Sequence, residues 1–93
     1  MRLDEKERGA ITTAVKELDP NAEIYLFGSR TDPAKKGGDI DILILSQLLS
    51  NNNKISILCR IFEMIEEQKI DLLIAKDTFD PFVRLALKTG IRL

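Results

Sequence analysis

Three short apolar runs give the chain its pattern, and each is bounded by polar residues or by glycine. They occupy residues 23–27, 42–45 and 69–75. Isoleucine, leucine and aromatic side chains fill these runs, and a run of roughly four to eight such residues between turn signals is typical of a buried β-strand. The sequence therefore predicts three strands.

Around the strands, apolar residues recur at three- and four-residue steps, which predicts amphipathic helices. The helices are expected over 4–18, 54–68 and 81–89, with Asp80 as the cap of the last one. The order is helix, strand, loop, strand, helix, strand, helix. This order favours an α/β fold, in which one domain over residues 1–93 holds a mixed three-stranded sheet flanked by about four helices.

The helix expected over 54–68 carries two apolar stripes, which is more than a surface helix needs. One stripe contains Cys59, which we therefore expect to be a small core residue. The other stripe is expected to meet a neighbouring helix or a partner chain. The last helix is expected to turn one stripe toward the sheet, formed by Phe82, Leu85 and Ala86.

Three aspartates stand beside or within the predicted strands. Asp39 and Asp41 lie at the start of the second strand, and they share one face because side chains alternate along a strand. Neighbouring carboxylates repel each other, and Mg2+ is held by one or two carboxylates together with substrate phosphates. Asp71 lies inside the third strand, where an acid is costly unless it is paired or metal-bound. The acids therefore favour a metal site, while a turn or surface ion-pair role is the alternative for any one of them.

The first strand ends at Gly28-Ser29, a corner suited to an anion. Glycine permits close backbone approach to a ligand, free N–H groups follow at a turn, and Ser29 adds a hydroxyl donor. Arg30, Lys35 and Lys36 add positive charge in the loop that follows. These basic residues are candidates for phosphate contact, and solvated surface charges are the alternative. One strand end thus offers phosphate-binding groups while the next offers metal-binding groups.

The composition of the chain limits the partners and the catalytic groups that are expected. The chain has 93 residues, a formal net charge of −1, one cysteine and no histidine. The balanced charge argues against direct nucleic-acid binding, because such domains are usually basic. The lone Cys59 is expected in a reducing cytoplasm, and neither a signal peptide nor a membrane span is expected. Without histidine, a base acting near neutral pH must be a carboxylate or a metal-bound group.

Taken in order, Gly28-Ser29, the gap of residues 30–38, Asp39-x-Asp41 and Asp71 resemble the signature of the DNA polymerase β-like nucleotidyltransferase superfamily. The short chain is similar to the minimal nucleotidyltransferase (MNT) domain proteins, many of which are paired with a HEPN-domain protein. The resemblance covers roughly residues 23–75, and the outer helices carry no diagnostic residue.

The resemblance implies a catalytic site. Asp39, Asp41 and Asp71 would hold two Mg2+ ions, and Gly28, Ser29 and Arg30 would bind the nucleotide. The implied activity is transfer of AMP from ATP to a tyrosine of a HEPN toxin, which silences the toxin.

Two other functions are compatible with the same residues. The chain could be a non-catalytic antitoxin that neutralises a HEPN partner by complex formation. It could also transfer a nucleotide to a small molecule such as an aminoglycoside, although enzymes of that kind usually carry an added substrate domain. The sequence leaves open the base specificity, the acceptor, the oligomeric state and whether the site is active in the cell.

Overall fold

A mixed four-stranded sheet with helices on both faces forms the protein, in a computed structural model that describes residues 3–31 and 39–93 apart from the side chain of Ser29. The elements in chain order are α1 (Glu5–Lys16), β1 (Glu23–Phe27), a 3₁₀ turn (Gly28–Thr31), β2 (Ile40–Leu45), a second 3₁₀ turn (Asn51–Asn53), α2 (Lys54–Phe62), β3 (Ile70–Ala75), α3 (Pro81–Thr89) and β4 (Ile91–Arg92). The predicted α/β class is confirmed, but the described part of the chain has three helices where about four were predicted, and four strands where three were predicted.

The sheet has the strand order β3-β2-β1-β4. β1 pairs antiparallel with β2 and with β4, whereas β2 and β3 are parallel and are joined by a crossover through α2. The fourth strand was not predicted because Ile91 and Arg92 are only two residues at the end of the chain. Their pairing with Leu26 and Tyr25 depends on the sheet and not on a local sequence pattern.

Alternation along β2 divides the core between the two faces of the sheet. Ile40, Ile42 and Ile44 are fully buried on the face covered by α1 and α2, and Leu43 is buried on the face covered by α3. Each such side chain contributes roughly 1.5–3 kcal/mol when it is removed from water. The two faces therefore hold β2 in one register, since a slip of one residue would exchange its faces.

Helix α1 begins at a capping box. The side chain of Asp4 accepts a hydrogen bond from the Glu7 backbone N–H at 2.7 Å, and the Glu7 side chain accepts one from the Asp4 N–H at 3.1 Å. Two N–H groups that lack partners at the start of the helix are thereby satisfied. Helix α1 ends at Lys16, close to the predicted end at residue 18.

Helix α2 is shorter than predicted and buries only one stripe. It ends at Phe62, and its buried residues are Ile57 and Ile61. Ile55 is 73% exposed and Cys59 is exposed, so the predicted core position of Cys59 is wrong. The physical reason is that the sheet and α1 cover the helix from one side, which an i, i+4 pair already fills.

Helix α3 turns only part of the predicted stripe toward the sheet. Ala86 is buried as predicted, but its buried neighbour is Val83, and Phe82 and Leu85 are 55% and 57% exposed. The small side chains of Val83 and Ala86 let the helix axis approach the sheet closely. Asp80 caps the helix as expected, with its side chain accepting from the Phe82 N–H at 2.8 Å.

A buried polar contact joins the end of α1 to the end of β2. Asp19 is 2% exposed and its Oδ2 accepts a hydrogen bond from Ser46 Oγ at 2.6 Å. The same Ser46 oxygen accepts hydrogen bonds from the N–H groups of Leu48 and Leu49. Asp19 is thus more than a helix-ending residue: it fixes the end of the sheet that lies away from the three candidate acids. Among the helices described, none is long and apolar enough to cross a membrane.

Candidate active site

Asp41 and Asp71 are brought opposite each other by the parallel pairing of β2 and β3. The two residues are Cα partners in the register, and neighbouring strands lie about 4.8 Å apart. Alternation places both side chains on the face of the sheet that α3 partly covers, because their neighbours Ile40, Ile42 and Ile70 are buried on the other face. The pairing of the two strands therefore brings these two acids together.

The electrostatics of Asp41 reflect this crowding. Partial burial raises the pKa of the Asp41 carboxyl above its usual range, and the negative charges of Asp71 and Asp39 raise it further. A hydrogen bond between the Asp41 and Asp71 carboxyls acts in the same direction, and the positive charge of Lys69 opposes it weakly. Among the described residues, burial and the neighbouring acids therefore outweigh the positive charge of Lys69 at Asp41.

Gly28 lies directly beside the side chain of Asp41. Its φ of 76° lies in the left-handed region, and a Cβ placed there would collide with the Asp41 carboxylate. Gly28 was expected to let a ligand approach the backbone closely. In the structure, the group that approaches it is the Asp41 carboxylate. The corner at the end of β1 and the acid at the start of β2 are therefore one compact unit.

Asp39 lies immediately before β2 and forms an ion pair with Lys69, with Nζ and Oδ2 3.7 Å apart. The side chains are 69% exposed for Lys69 and 48% for Asp39, so the pair contributes at most about 1 kcal/mol. Lys69 lowers the pKa of Asp41, but by less than burial and the other acids raise it. The lysine is an exposed neighbour of the site and does not fill the gap between Asp41 and Asp71.

The donor set is composed of carboxylate oxygens, which suit hard cations. Within residues 3–31 and 39–93, no three acidic, histidine or cysteine side chains are grouped so as to hold a metal ion by themselves. Mg2+ does not require such a cage, since it is commonly held by one or two carboxylates, substrate phosphates and water. Asp41 and Asp71 fit that mode of binding, in which the nucleotide completes the coordination.

The structure describes the remaining predicted site residues only in part. The backbone of Gly28, Ser29 and Arg30 forms the 3₁₀ turn after β1, and the Arg30 side chain is half-buried. Lys35 and Lys36 lie outside the described residues, as does the side chain of Ser29. Phosphate contact by these groups stays a prediction.

The sequence pattern did not single out Phe27, Phe82 and Lys69 as neighbours of the acids. Phe27 pairs with Asp41 across β1 and β2, and its ring packs edge-to-face against Phe82 at 6.0 Å. A signal for Phe27 was available, since it directly precedes Gly28 and alternation puts it on the same face as Asp41. Phe82 had no such signal, because its position depends on how α3 docks.

A cavity of about 400 Å³ lies at the other end of the sheet, lined among others by Asp19, Ser46 and Lys76. Its polar groups bind each other, as in the Ser46–Asp19 hydrogen bond and the bond of 2.7 Å from Gln47 Nε2 to the Lys76 carbonyl. The convergent, like-charged groups are at the opposite end, and that end is the candidate active site.

At this end of the mixed sheet, a glycine corner lies beside carboxylates on adjacent strands. The sequence model of the nucleotidyltransferase domain matches residues 9–91, and the chain belongs to the nucleotidyltransferase domain family. This confirms the nucleotidyltransferase superfamily and, in general terms, nucleotidyl transfer as the activity of the family. No curated protein matches the chain in sequence.

Gly28→Ala tests the compact corner. We expect the free energy of unfolding to fall by at least about 1–2 kcal/mol, because a left-handed conformation is costly for alanine and its methyl group meets the Asp41 carboxylate. Urea denaturation measures the change. Gly9→Ala is the control, since open space surrounds that α1 position and alanine should stabilise the helix by up to about 1 kcal/mol. Equal stability of Gly28→Ala and the wild type would contradict the geometry.

Asp41→Asn tests the crowding of the acids. In the absence of divalent cations we expect a higher Tm at neutral pH, because the amide removes one of two facing charges without changing the shape of the side chain. The raised pKa of Asp41 means that the folded state holds more protons than the unfolded chain, so wild-type stability falls as the pH rises past the usual aspartate value. The advantage of the variant should therefore grow between about pH 4 and pH 7.

Thermal unfolding monitored by circular dichroism over this pH range measures the effect. Glu66→Gln is the matched control, because Glu66 is an exposed acid near Asp4 and Ile65, in a groove that the three candidate acids do not line. A lower Tm for Asp41→Asn than for the wild type at every pH would show that Asp41 and Asp71 do not repel each other.

Proposed function

We propose that the chain is a nucleotidyltransferase that moves AMP from ATP to a hydroxyl of a partner protein, and that the acceptor is a tyrosine of a HEPN-domain toxin. The observation that supports this proposal is the facing of Asp41 and Asp71 beside the Gly28 corner, in a chain that belongs to the nucleotidyltransferase domain family. Two facing carboxylates repel each other when both are ionised, and a bound cation would offset that repulsion.

In the proposed site, Asp41 and Asp71 would hold the metal, and Asp39, which is in an exposed ion pair with Lys69, would be a further ligand. Bound Mg2+ would supply the positive charge that neutralises the triphosphate and the leaving pyrophosphate. The backbone N–H groups of the turn after Gly28 would hold the terminal phosphates, with Ser29 and Arg30 as further donors. The use of two Mg2+ ions as cofactors is part of this proposal.

The transfer itself is a displacement at the α-phosphorus of ATP. The acceptor hydroxyl oxygen forms a bond to that phosphorus, and the bond to the oxygen bridging the α- and β-phosphorus breaks. Pyrophosphate leaves with the electron pair of that bond, and Asp71 accepts the proton of the attacking hydroxyl. Asp71 is suited to this step because it is exposed on the sheet face, whereas Asp41 is partly buried beside Gly28.

A protein acceptor is supported by the openness of the site. Asp39 and Asp71 are exposed, and Phe79, Phe82 and Leu85 are exposed large apolar residues around α3. Such residues on a small domain are typical of a surface that meets a partner. The cytoplasm, where a toxin and its antitoxin would meet, is the proposed location.

Non-catalytic neutralisation of the same partner is the second candidate. It is favoured by the exposed apolar residues Leu48 and Ile55, which are 70% and 73% exposed and lie away from the acids, around the start of α2. A binding module would use such a surface and would not depend on the carboxylates.

The direct test is to mix the protein with ATP, Mg2+ and a HEPN-domain protein and to weigh that protein by mass spectrometry. We expect the added mass of one AMP, located on a tyrosine by fragmentation. Asp41→Asn should slow the modification about a hundredfold or more, because charge stabilisation at the reacting phosphate is lost. Asp77→Asn is the control, because Asp77 is an exposed acid beside the cavity at the other end of the sheet.

Protection of cells distinguishes the two candidates. If Asp41→Asn still neutralises the toxin and no AMP is added by the wild type, the chain is a binding module. If the variant fails to protect while it still binds the partner, the transferase is supported.

A further inference from the structure

Phe82 is an exposed aromatic ring that is nevertheless held in place. It lies in the first turn of α3 and is 55% exposed. Its ring meets the ring of Phe27 at a centroid distance of 6.0 Å and an interplanar angle of 82°, which is a favourable edge-to-face contact. Part of the Phe82 ring is therefore fixed by the protein, while the rest remains available to a ligand.

The position of Phe27 connects this ring to the acids. Phe27 is the Cα partner of Asp41, and Asp41 is the partner of Asp71. Directly opposed side chains on one face of a sheet have Cβ atoms roughly 5 Å apart. Phe82, Phe27, Asp41 and Asp71 thus form a row across the sheet, from the first turn of α3 to the edge strand β3.

Gly28 follows Phe27 directly, so the row also passes the corner proposed to hold phosphates. A ligand whose phosphates lie at Gly28 and Asp41 would have its other end beside the Phe27–Phe82 pair or over β3. The α3 side offers a fixed aromatic surface, and aromatic surfaces bind flat, apolar rings.

We propose that Phe82, held by Phe27, is the platform on which the base of the bound nucleoside triphosphate stacks. This inference rests on the proposed function and adds the residue that contacts the base. Stacking uses the π-face that every base possesses, so Phe82 would favour nucleotides over bare polyphosphate without choosing between purines. ATP and GTP would gain similarly from this contact.

The experiment compares a ligand that has a base with one that lacks it. Isothermal titration calorimetry measures the Kd of ATP with Mg2+ and of tripolyphosphate with Mg2+ for the wild type, Phe82→Leu, Phe82→Trp and Leu85→Ala. Phe82→Leu keeps an apolar side chain against Phe27 but removes the aromatic face, so the fold is expected to persist. Leu85→Ala is the matched control, because Leu85 is exposed to a similar extent (57%) on the same helix.

Phe82→Leu should weaken ATP binding by about five- to a hundredfold, the range that corresponds to loss of one base–aromatic stack. The same variant should bind tripolyphosphate within about twofold of the wild type, and Leu85→Ala should bind both ligands within about twofold. Phe82→Trp should bind ATP at least as tightly as the wild type, since tryptophan offers a larger face.

Unchanged ATP binding by Phe82→Leu would overturn the inference and leave the proposed function intact. Equal weakening of both ligands would also overturn it, because the residue would then support the phosphate site and not the base. If the Phe82 and Leu85 variants bind ATP normally but no longer support modification of the acceptor, the exposed side of α3 that carries Phe82 and Leu85 docks the partner protein and does not bind the base. Failure of the wild type to bind either ligand would overturn the proposed function together with this inference.

Discussion

The register between β2 and β3 is the constraint on which the chemistry depends. It pairs Asp41 with Asp71, and a slip of one residue would carry one carboxylate to the buried face of the sheet. The register is held from that buried face, where Ile40 and Ile42 pack with Ile70 and Leu72 under α1 and α2. The apolar core thus places the two acids, although none of its side chains belongs to the site.

The two faces of the sheet therefore differ in how they are covered and in what they contribute. One face is covered by two helices and supplies most of the buried apolar residues, while within residues 3–31 and 39–93 the helix on the other face is α3. Asp71 is exposed at the edge strand and Phe82 is exposed at the start of α3. At the far end of the sheet, the Asp19–Ser46 hydrogen bond fixes the loops independently of the acids.

The strands could be predicted from the sequence because apolar runs identify β1, β2 and β3. The convergence of Asp41 and Asp71 was expected from the chemistry of the acids, whereas their direct facing depends on the parallel register of β2 and β3, which no local pattern gives. The parts that failed depend on tertiary packing. The inward stripe of α3 was only partly right: Ala86 is buried as predicted, but Val83 packs toward the sheet in place of Phe82 and Leu85, because smaller side chains allow a close approach of the helix. Cys59 was misplaced for a related reason, since α2 buries only the stripe that faces the sheet. The ion pair between Asp39 and Lys69 joins residues far apart in sequence and had no local signal.

The proposed function requires that a cation-bound triphosphate lie between Asp41 and Asp71 beside Gly28. Paramagnetic line broadening by ATP with Mn2+, a cation that accepts the same oxygen ligands as Mg2+, tests this claim residue by residue in an NMR spectrum. The account predicts that the amide signals of Gly28, Asp41 and Asp71 broaden first. The signals of Ser46 and Lys76, about 17 Å away at the other ends of β2 and β3, should stay sharp. Strongest broadening at Ser46 and Lys76, with sharp signals at the acids, would contradict it.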